Sequence, residues 1–221
     1  RMSPNRELLT IFLSSFMHLP GHDTTAHTMT WLLWEVSQNS HLQDALAAEA
    51  KLALPSRRDF PMDKVILAKK LSLLDRVWQE TNRKHPTSAT GTLRVVGGTS
   101  IVVGDGLELP ARTSVLIPPY SLHRNERYWP NPDIFDPSRF DEEASASRDP
   151  MTFQAFSAGP RNCMGSRLAR AEALSILAPL FRRFEIACIS NGGDSGEPAE
   201  YTTLTRRPRD GIFFTFTARP D

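Results

Sequence analysis

The beginning of the chain has an apolar pattern typical of a helix. Apolar residues recur three and four positions apart, which places them on one helical face; they are Leu8, Leu9, Phe12, Leu13 and Phe16. The apolar content continues through Trp31 and Val36. The pattern predicts one bent helix from about Pro4 to Gln38, with Pro20 sharpening a kink near its middle.

Two further helices are predicted before the chain changes character. The second begins at Ser40, where Gln43 stands three residues later as a capping-box partner. The third runs from about Leu71 to Lys84 and ends before Pro86, because the residue ahead of a proline resists helical geometry.

The pattern becomes extended from Thr92 onward. Short β-branched runs separated by glycine-containing turns predict strands; they are Leu93 to Val96, Ile101 to Val103 and Val115 to Ile117. A fourth clear helix is predicted from about Ser166 to Arg183, a surface loop over Asn191 to Pro198, and a strand over Gly211 to Ala218. Helices followed by small sheets predict a mainly α fold with small antiparallel β-sheets, of the α+β class.

The length and composition of the chain argue against several classes of protein. The chain has 221 residues, which we interpret as a single partial domain over residues 1–221. Its 26 basic and 25 acidic residues give a net charge of +1, which argues against a nucleic-acid binder. Two cysteines exclude a disulfide-rich scaffold. No apolar run reaches the roughly 20 residues of a membrane span, and a helical pattern already running behind Arg1 indicates a fragment that lacks its beginning.

The richest local signal surrounds Cys163, in the sequence FSAGPRNCMG that precedes the fourth helix. A cysteine beside a helix N-terminus lies where backbone N–H groups and the helix dipole favour a thiolate. Three interpretations stay open on the loop alone: a ligand for a metal or haem, a nucleophile, and a buried structural cysteine. A zinc site is disfavoured, because no Cys-x-x-Cys spacing occurs.

The loop resembles the haem-binding motif F-x-x-G-x-R-x-C-x-G of the haem-thiolate monooxygenases, the cytochrome P-450 superfamily. The resemblance implies that Cys163 is the axial ligand of the iron in haem b. It also implies that Arg161 contacts a haem propionate, and that Phe156, Gly159 and Gly165 belong to the cofactor-binding loop. The fold it implies is the C-terminal half of the cytochrome P-450 fold.

A second motif lies on the third helix, where Glu80 and Arg83 share a face. As an exposed pair they would contribute only about 0.2–0.5 kcal/mol. They resemble the E-x-x-R motif of the same family, which implies a buried triad completed by Arg139 from a later proline-rich loop. Arg94 resembles a second propionate contact, although a surface charge on a strand is the alternative.

The hexapeptide PGHDTT in the first helix resembles the oxygen-activation groove of the family. The resemblance implies that Asp23 and Thr24 are an acid–alcohol pair that delivers protons. Pro20 departs from the small residue usual at its position, and it removes a backbone donor.

The parent activity that the resemblance implies is insertion of one oxygen atom from O₂ into an apolar organic substrate, such as a fatty acid or sterol. The implied electron donor is an NADPH-linked reductase, for which Arg167 and Arg170 are candidate contacts. The implied location is the cytosolic face of the endoplasmic reticulum membrane, through an N-terminal anchor that this chain lacks. A haem-thiolate isomerase or dehydratase and a non-catalytic remnant remain as alternatives.

Overall fold

The long first helix is a single element. The computed structural model describes residues 4–56, 70–190, 196–203 and 205–220, and of residues 4–20 it describes the backbone alone. Helix α1 spans Pro4–Ser37, which confirms the predicted long helix. The side chains of Pro20 and of the apolar face before it lie outside the described residues, as does most of the loop predicted from residue 191 to 198.

The second helix begins where the sequence predicts, but its cap differs. Helix α2 spans Ser40–Ala53, and its N-cap is Asn39, whose side chain accepts a hydrogen bond from the Leu42 N–H. The predicted capping box is therefore wrong, because the Gln43 side chain instead bonds the backbone of Ile186 in a distant strand.

The third helix, α3, spans Ser72–Lys84. Its first turn has no cap from its own sequence. Instead the carboxylate of Glu49, on α2, accepts hydrogen bonds from the N–H groups of Leu73 and Leu74 at 2.6 and 3.0 Å. A negative side chain at a helix N-terminus satisfies orphan donors and complements the helix dipole, so α2 fixes where α3 begins.

The remaining helices follow the proline-rich and cysteine-containing segments. Helix α4 spans Pro119–Leu122, α5 spans Glu142–Ser147 and α6 spans Ser166–Arg183. Short 3₁₀ turns lie between them, at Pro137–Phe140, Pro150–Thr152 and Gly159–Arg161.

One apolar core joins the four long helices. It is built from fully buried side chains of α1, α2, α3 and α6, of the cap residues Leu54 after α2 and Leu71 before α3, and of one residue in the strand that follows α6. Its members are Leu32, Val36, Leu46, Ala53, Leu54, Leu71, Leu74, Val77, Trp78, Ala173, Leu174, Leu177, Ala178, Phe181 and Ile186. Burying a Leu or Phe side chain contributes roughly 1.5–3 kcal/mol, so this core holds the helices that carry the site.

The described strands form four antiparallel pairs. Strands β1 (Thr92–Val95) and β4 (Ser114–Ile117) pair, with Arg94 opposite Val115. Strands β2 (Ile101–Val103) and β3 (Leu107–Leu109) form a hairpin. Strand β5 (Phe184–Ser190) pairs with β8 (Phe213–Ala218), and β6 (Glu200–Thr202) pairs with β7 (Arg206–Pro208).

The predicted α+β class is confirmed by these helices and small sheets. Strands β3, β6 and β7 were not predicted. Within the described part of the chain, no helix has both the length and the apolar character that a membrane crossing needs.

Candidate functional site

The cysteine loop is a tight turn that leads into α6. The Cys163 N–H donates to the carbonyl of Phe156 at 2.8 Å, which closes the loop. Gly159 has a φ of +74°, in the left-handed region that glycine occupies without strain. Gly165 follows at the N-cap of α6, where a Cβ would lie 3.9 Å from the Cys163 sulfur.

Cys163 is an exposed residue of this chain, so the interpretation as a buried structural cysteine is wrong. Cys163 lines a cavity of about 190 Å³ between the loop, α1, α3 and α6. Helix α1 contributes Thr24, Thr25 and Thr28 to the lining of this cavity. The cysteine loop and the threonine-rich part of α1 therefore line the same cavity.

A second cavity of about 380 Å³ lies on the other side of the loop. Its lining includes Arg94, Gly159 and Ser157, and Ser157 also lines the first cavity. Ser157 has a φ of +58°, and its hydroxyl lies 2.8 Å from the hydroxyl of Thr92 on β1. This contact ties the strand that carries Arg94 to the cysteine loop.

The two predicted propionate contacts are both exposed. Arg94 bonds only locally among its described contacts, since its guanidinium donates to the carbonyl of Leu93 at 3.0 Å. Arg161 ends the 3₁₀ turn of the loop and points to no described hydrogen-bond partner. Both side chains are thus accessible to an anionic group.

The predicted acid–alcohol pair is divided between two environments. Thr24 lines the cavity that Cys163 also lines. The Asp23 carboxylate instead accepts a hydrogen bond from the Thr205 hydroxyl at 3.0 Å and lies 3.6 Å from Nδ1 of His27. Thr25 donates its hydroxyl to the Gly21 carbonyl at 3.0 Å, a contact that bends helices.

Glu80 and Arg83 form a buried bidentate pair. Arg83 Nε and a terminal nitrogen each donate to a Glu80 oxygen at 2.7 Å, and both side chains are fully inaccessible. The interpretation as an exposed surface pair is therefore wrong. Arg83 also donates to the carbonyls of His123 and Ile134, at 3.0 and 3.2 Å.

Arg139 lies beside this pair on the 3₁₀ turn. Its Nε is 3.5 Å from a Glu80 oxygen, and the Asp136 N–H donates to the same carboxylate at 2.9 Å. Burial raises the pKa of Glu80, while the hydrogen bonds from Arg83 and the charge of Arg139 oppose that rise. The three predicted triad residues are thus brought together in one network.

His123 extends the network to the cysteine loop. The Gln154 N–H donates to Nε2 of His123 at 2.9 Å, and Nδ1 lies 3.1 Å from the Arg83 carbonyl. Nε2 therefore accepts and Nδ1 donates, which is the neutral imidazole. Burial lowers the pKa of His123 to about 4, in agreement with that tautomer.

Sequence reasoning gave no such role to His123 or Thr205. Each acts through a partner 31 to 182 positions away, and no local spacing signals such contacts.

The candidate reductase contacts also differ from one another: Arg167 is exposed, whereas Arg170 is held by the Asp75 carboxylate.

The cysteine loop fits a thiolate-bound haem by its chemistry. Cys163 is exposed and lines a cavity together with hydroxyl-bearing side chains, aromatic side chains and other residues of the helices. Among the described residues, no three His, Cys, Asp or Glu side chains group to hold a metal ion. A thiolate supplied by one cysteine, with two exposed arginines beside it, suits a cofactor that brings its own metal and carboxylates.

Comparison with known proteins gives one consistent family. The model of the Cytochrome P-450 family matches residues 5–212. Human cytochrome P-450 4F8 is 33% identical over 196 residues, which cover 87% of this chain and 36% of that protein. Rat cytochrome P-450 4V2 is 34% identical over 200 residues, which cover 90% and 36%. The chain thus spans about a third of the length of the curated relatives it matches.

A solved structure shares the fold. The crystal structure of a cytochrome P-450 (CYP102L1) aligns with a TM-score of 0.80 over 92% of this chain and 44% of that one, at 23% sequence identity. The elements described above therefore correspond to part of a cytochrome P-450 fold.

Proposed function

We propose, since the chain belongs to the cytochrome P-450 family, that the complete protein is a haem-thiolate monooxygenase. It inserts one atom of O₂ into an apolar organic substrate. The observation that carries this proposal is the exposed Cys163, which lines one cavity with Thr24 of α1.

Cys163 would hold the iron of haem b through its sulfur. Arg161 and Arg94 would bind the propionates, because a guanidinium offers a fork of donors that matches a carboxylate. Phe156, Gly159 and Gly165 would shape the loop that holds the haem. When bound, haem supplies oxygen activation, which a thiolate ligand promotes by pushing electron density towards the iron.

Thr24 and Asp23 would transfer the protons that the reaction requires. The Thr24 hydroxyl borders the cavity and can both accept and donate a proton. The Asp23 carboxylate, one residue earlier, can take a proton from water and return it to the Thr24 side. General acid catalysis of this kind contributes typically 10²–10⁴-fold to a rate.

Glu80, Arg83 and Arg139 would act at a distance, by holding the cysteine loop. Arg83 bonds the backbone of His123, and His123 accepts from Gln154, two residues before Phe156. A buried ion pair of this kind fixes geometry more than it adds stability. The network would therefore set where the Cys163 sulfur stands.

The partners and location follow from the same family proposal. Electrons would come from an NADPH-linked reductase that docks near the cysteine loop, where Arg167 is exposed. The substrate would be a small apolar molecule such as a fatty acid or sterol. The complete protein would lie on the cytosolic face of the endoplasmic reticulum membrane, held by an N-terminal anchor.

The test is a carbon monoxide difference spectrum of the complete protein. We expect a red-shifted band on reduction, and its loss in Cys163→Ala. The matched control is Cys188→Ala, on β5 away from both cavities, which should keep the band. A complete protein without haem would refute the proposal. Turnover of a lipid hydroperoxide with no added electrons would instead favour an isomerase or dehydratase.

A further inference from the structure

The carboxylate of Asp23 is held from outside its own helix. The Thr205 hydroxyl, in the turn between β6 and β7, donates to Oδ2 of Asp23 at 3.0 Å across 182 positions of sequence. The Asp23 side chain is 49% exposed. A half-exposed carboxylate has rotamer freedom unless a partner restrains it, so this one contact decides its orientation.

The donor itself is firmly placed. Thr205 is buried, and its carbonyl accepts from the Thr203 N–H at 3.2 Å within the turn. The next residue, Arg206, donates its N–H to the Thr87 carbonyl at 2.8 Å. Its buried guanidinium is fixed by Glu200. The turn is thus anchored on both sides of the Thr205 hydroxyl.

The second neighbour of Oδ2 does not compete for this role. Nδ1 of His27 lies 3.6 Å from Oδ2, beyond hydrogen-bond distance. Burial lowers the pKa of His27, against the opposing charge of Asp23, so its imidazole is largely neutral at pH 7. Both described contacts of the carboxylate reach Oδ2, which leaves Oδ1 for water or a proton.

We propose that Thr205 is a positioning residue for proton delivery by Asp23. Its hydroxyl donates to Oδ2 and restrains the carboxylate, which leaves Oδ1 available to pass a proton. The inference rests on the proposed function, since it assigns Thr205 to the proton path of that reaction. Thr205 itself touches no reacting atom.

The experiment uses the complete haem-loaded protein with its reductase and NADPH, without added substrate. The variants are Thr205→Val, which keeps the shape and removes the hydroxyl, and Thr205→Ser, which restores it. Thr203→Val, an exposed change in the same turn, is the matched control. Each change is also made on an Asp23→Asn background.

We expect Thr205→Val to slow NADPH oxidation by about fivefold, the factor that corresponds to one hydrogen bond of about 1 kcal/mol. The solvent deuterium isotope effect on that rate should rise, because proton delivery becomes more limiting. Thr205→Ser and Thr203→Val should keep the parent values. On the Asp23→Asn background, Thr205→Val should change nothing further.

A readout independent of turnover is the urea unfolding equilibrium of the same variants. In a double-mutant cycle of Thr205→Val with Asp23→Ala, which removes the acceptor, the two residues should be coupled by a factor of about five in the unfolding constant, as expected for one hydrogen bond. A holoprotein whose NADPH oxidation depends on Asp23 but not on Thr205, or in which Val and Ser behave alike, overturns this inference alone. A protein that binds no haem overturns the proposed function as well.

Discussion

At the scale of single residues, burial determines how strongly a charged pair affects the stability of the protein. The side chains of the exposed pair Arg209 and Asp210 are 58% and 44% accessible to solvent. The side chains of Arg83 and Glu80 are fully inaccessible, and they bond each other in a bidentate pair. The same chemistry therefore has different consequences at the two places.

Arg83→Met should strongly destabilise the protein. The change leaves the Glu80 carboxylate buried without its bidentate partner, and breaking a buried pair in this way costs about 3–5 kcal/mol. The measurement is the free energy of urea unfolding followed by tryptophan fluorescence.

The matched control is Arg209→Met, which removes an arginine from the exposed pair. Its effect should stay within about 0.5 kcal/mol, as is usual for a surface substitution. Equal effects of the two substitutions would contradict a special role for burial at Arg83.

Stability should also fall in mild acid because of His123. The pKa of His123 is about 4 in the folded protein and 6.5 in the unfolded chain. Between these two pH values, the imidazole is therefore mostly protonated in the unfolded chain and mostly neutral in the folded protein. The contribution of His123 is complete above pH 6.5 and is lost as the pH falls towards 4. The loss is on the order of 3 kcal/mol.

The measurement is the unfolding free energy of parent and His123→Asn at pH 7 and pH 5. Burial also lowers the pKa of His85 well below 6.5, so part of the acid loss persists in the variant. The part of the acid-induced loss of stability that is absent in His123→Asn is the contribution of His123. An unchanged pH dependence would show that His123 binds its proton equally in both states.

At the scale of elements, periodicity predicted the long helices and local spacing missed the pairing of short strands. Helices α1, α2, α3 and α6 each contribute apolar side chains to the core, in the periodic pattern that predicts a helix. Strands β6 and β7 consist of Glu-Tyr-Thr and Arg-Arg-Pro, and a hydrogen bond from Arg206 to Glu200 joins their side chains. Such strands have no apolar alternation from which to predict them.

The cap of α2 gives a test at this scale. Asn39→Ala should cost about 1 kcal/mol, because the Asn39 side chain satisfies the Leu42 N–H at 3.0 Å. Ser40→Ala is the matched control and should change stability little, since Ser40 is the first helical residue and is exposed. Thermal unfolding measures both, and the reverse order would restore the capping box predicted from sequence.

At the scale of the whole molecule, motifs predicted which residues carry the chemistry but not how they are supported. The sequence FSAGPRNCMG pointed to Cys163, and E-x-x-R pointed to Glu80 and Arg83. His123 contacts Arg83, and Thr205 contacts Asp23 of the first-helix motif; only tertiary structure brings these partners near. A motif records what chemistry needs locally, whereas orientation depends on contacts that the chain makes far from the motif.

The degree of exposure of the site leads to the last prediction. Cys163 is exposed, and its neighbours Met164 and Leu168 are 87% and 71% exposed. Both cavities beside it are open, and the chain spans about a third of its curated relatives. A thiolate bond in contact with water gains little from apolar burial of the macrocycle.

We therefore expect the 221-residue chain alone to take up haem weakly, and the complete protein to retain it through gel filtration. Absorbance of the eluted protein measures both, with Cys163→Ala of each as the matched control. The intrinsic tryptophan fluorescence of the chain shows whether it is folded when tested. Tight uptake by the folded chain, lost in Cys163→Ala, would mean that α1 and the cysteine loop with α6 suffice to hold the cofactor.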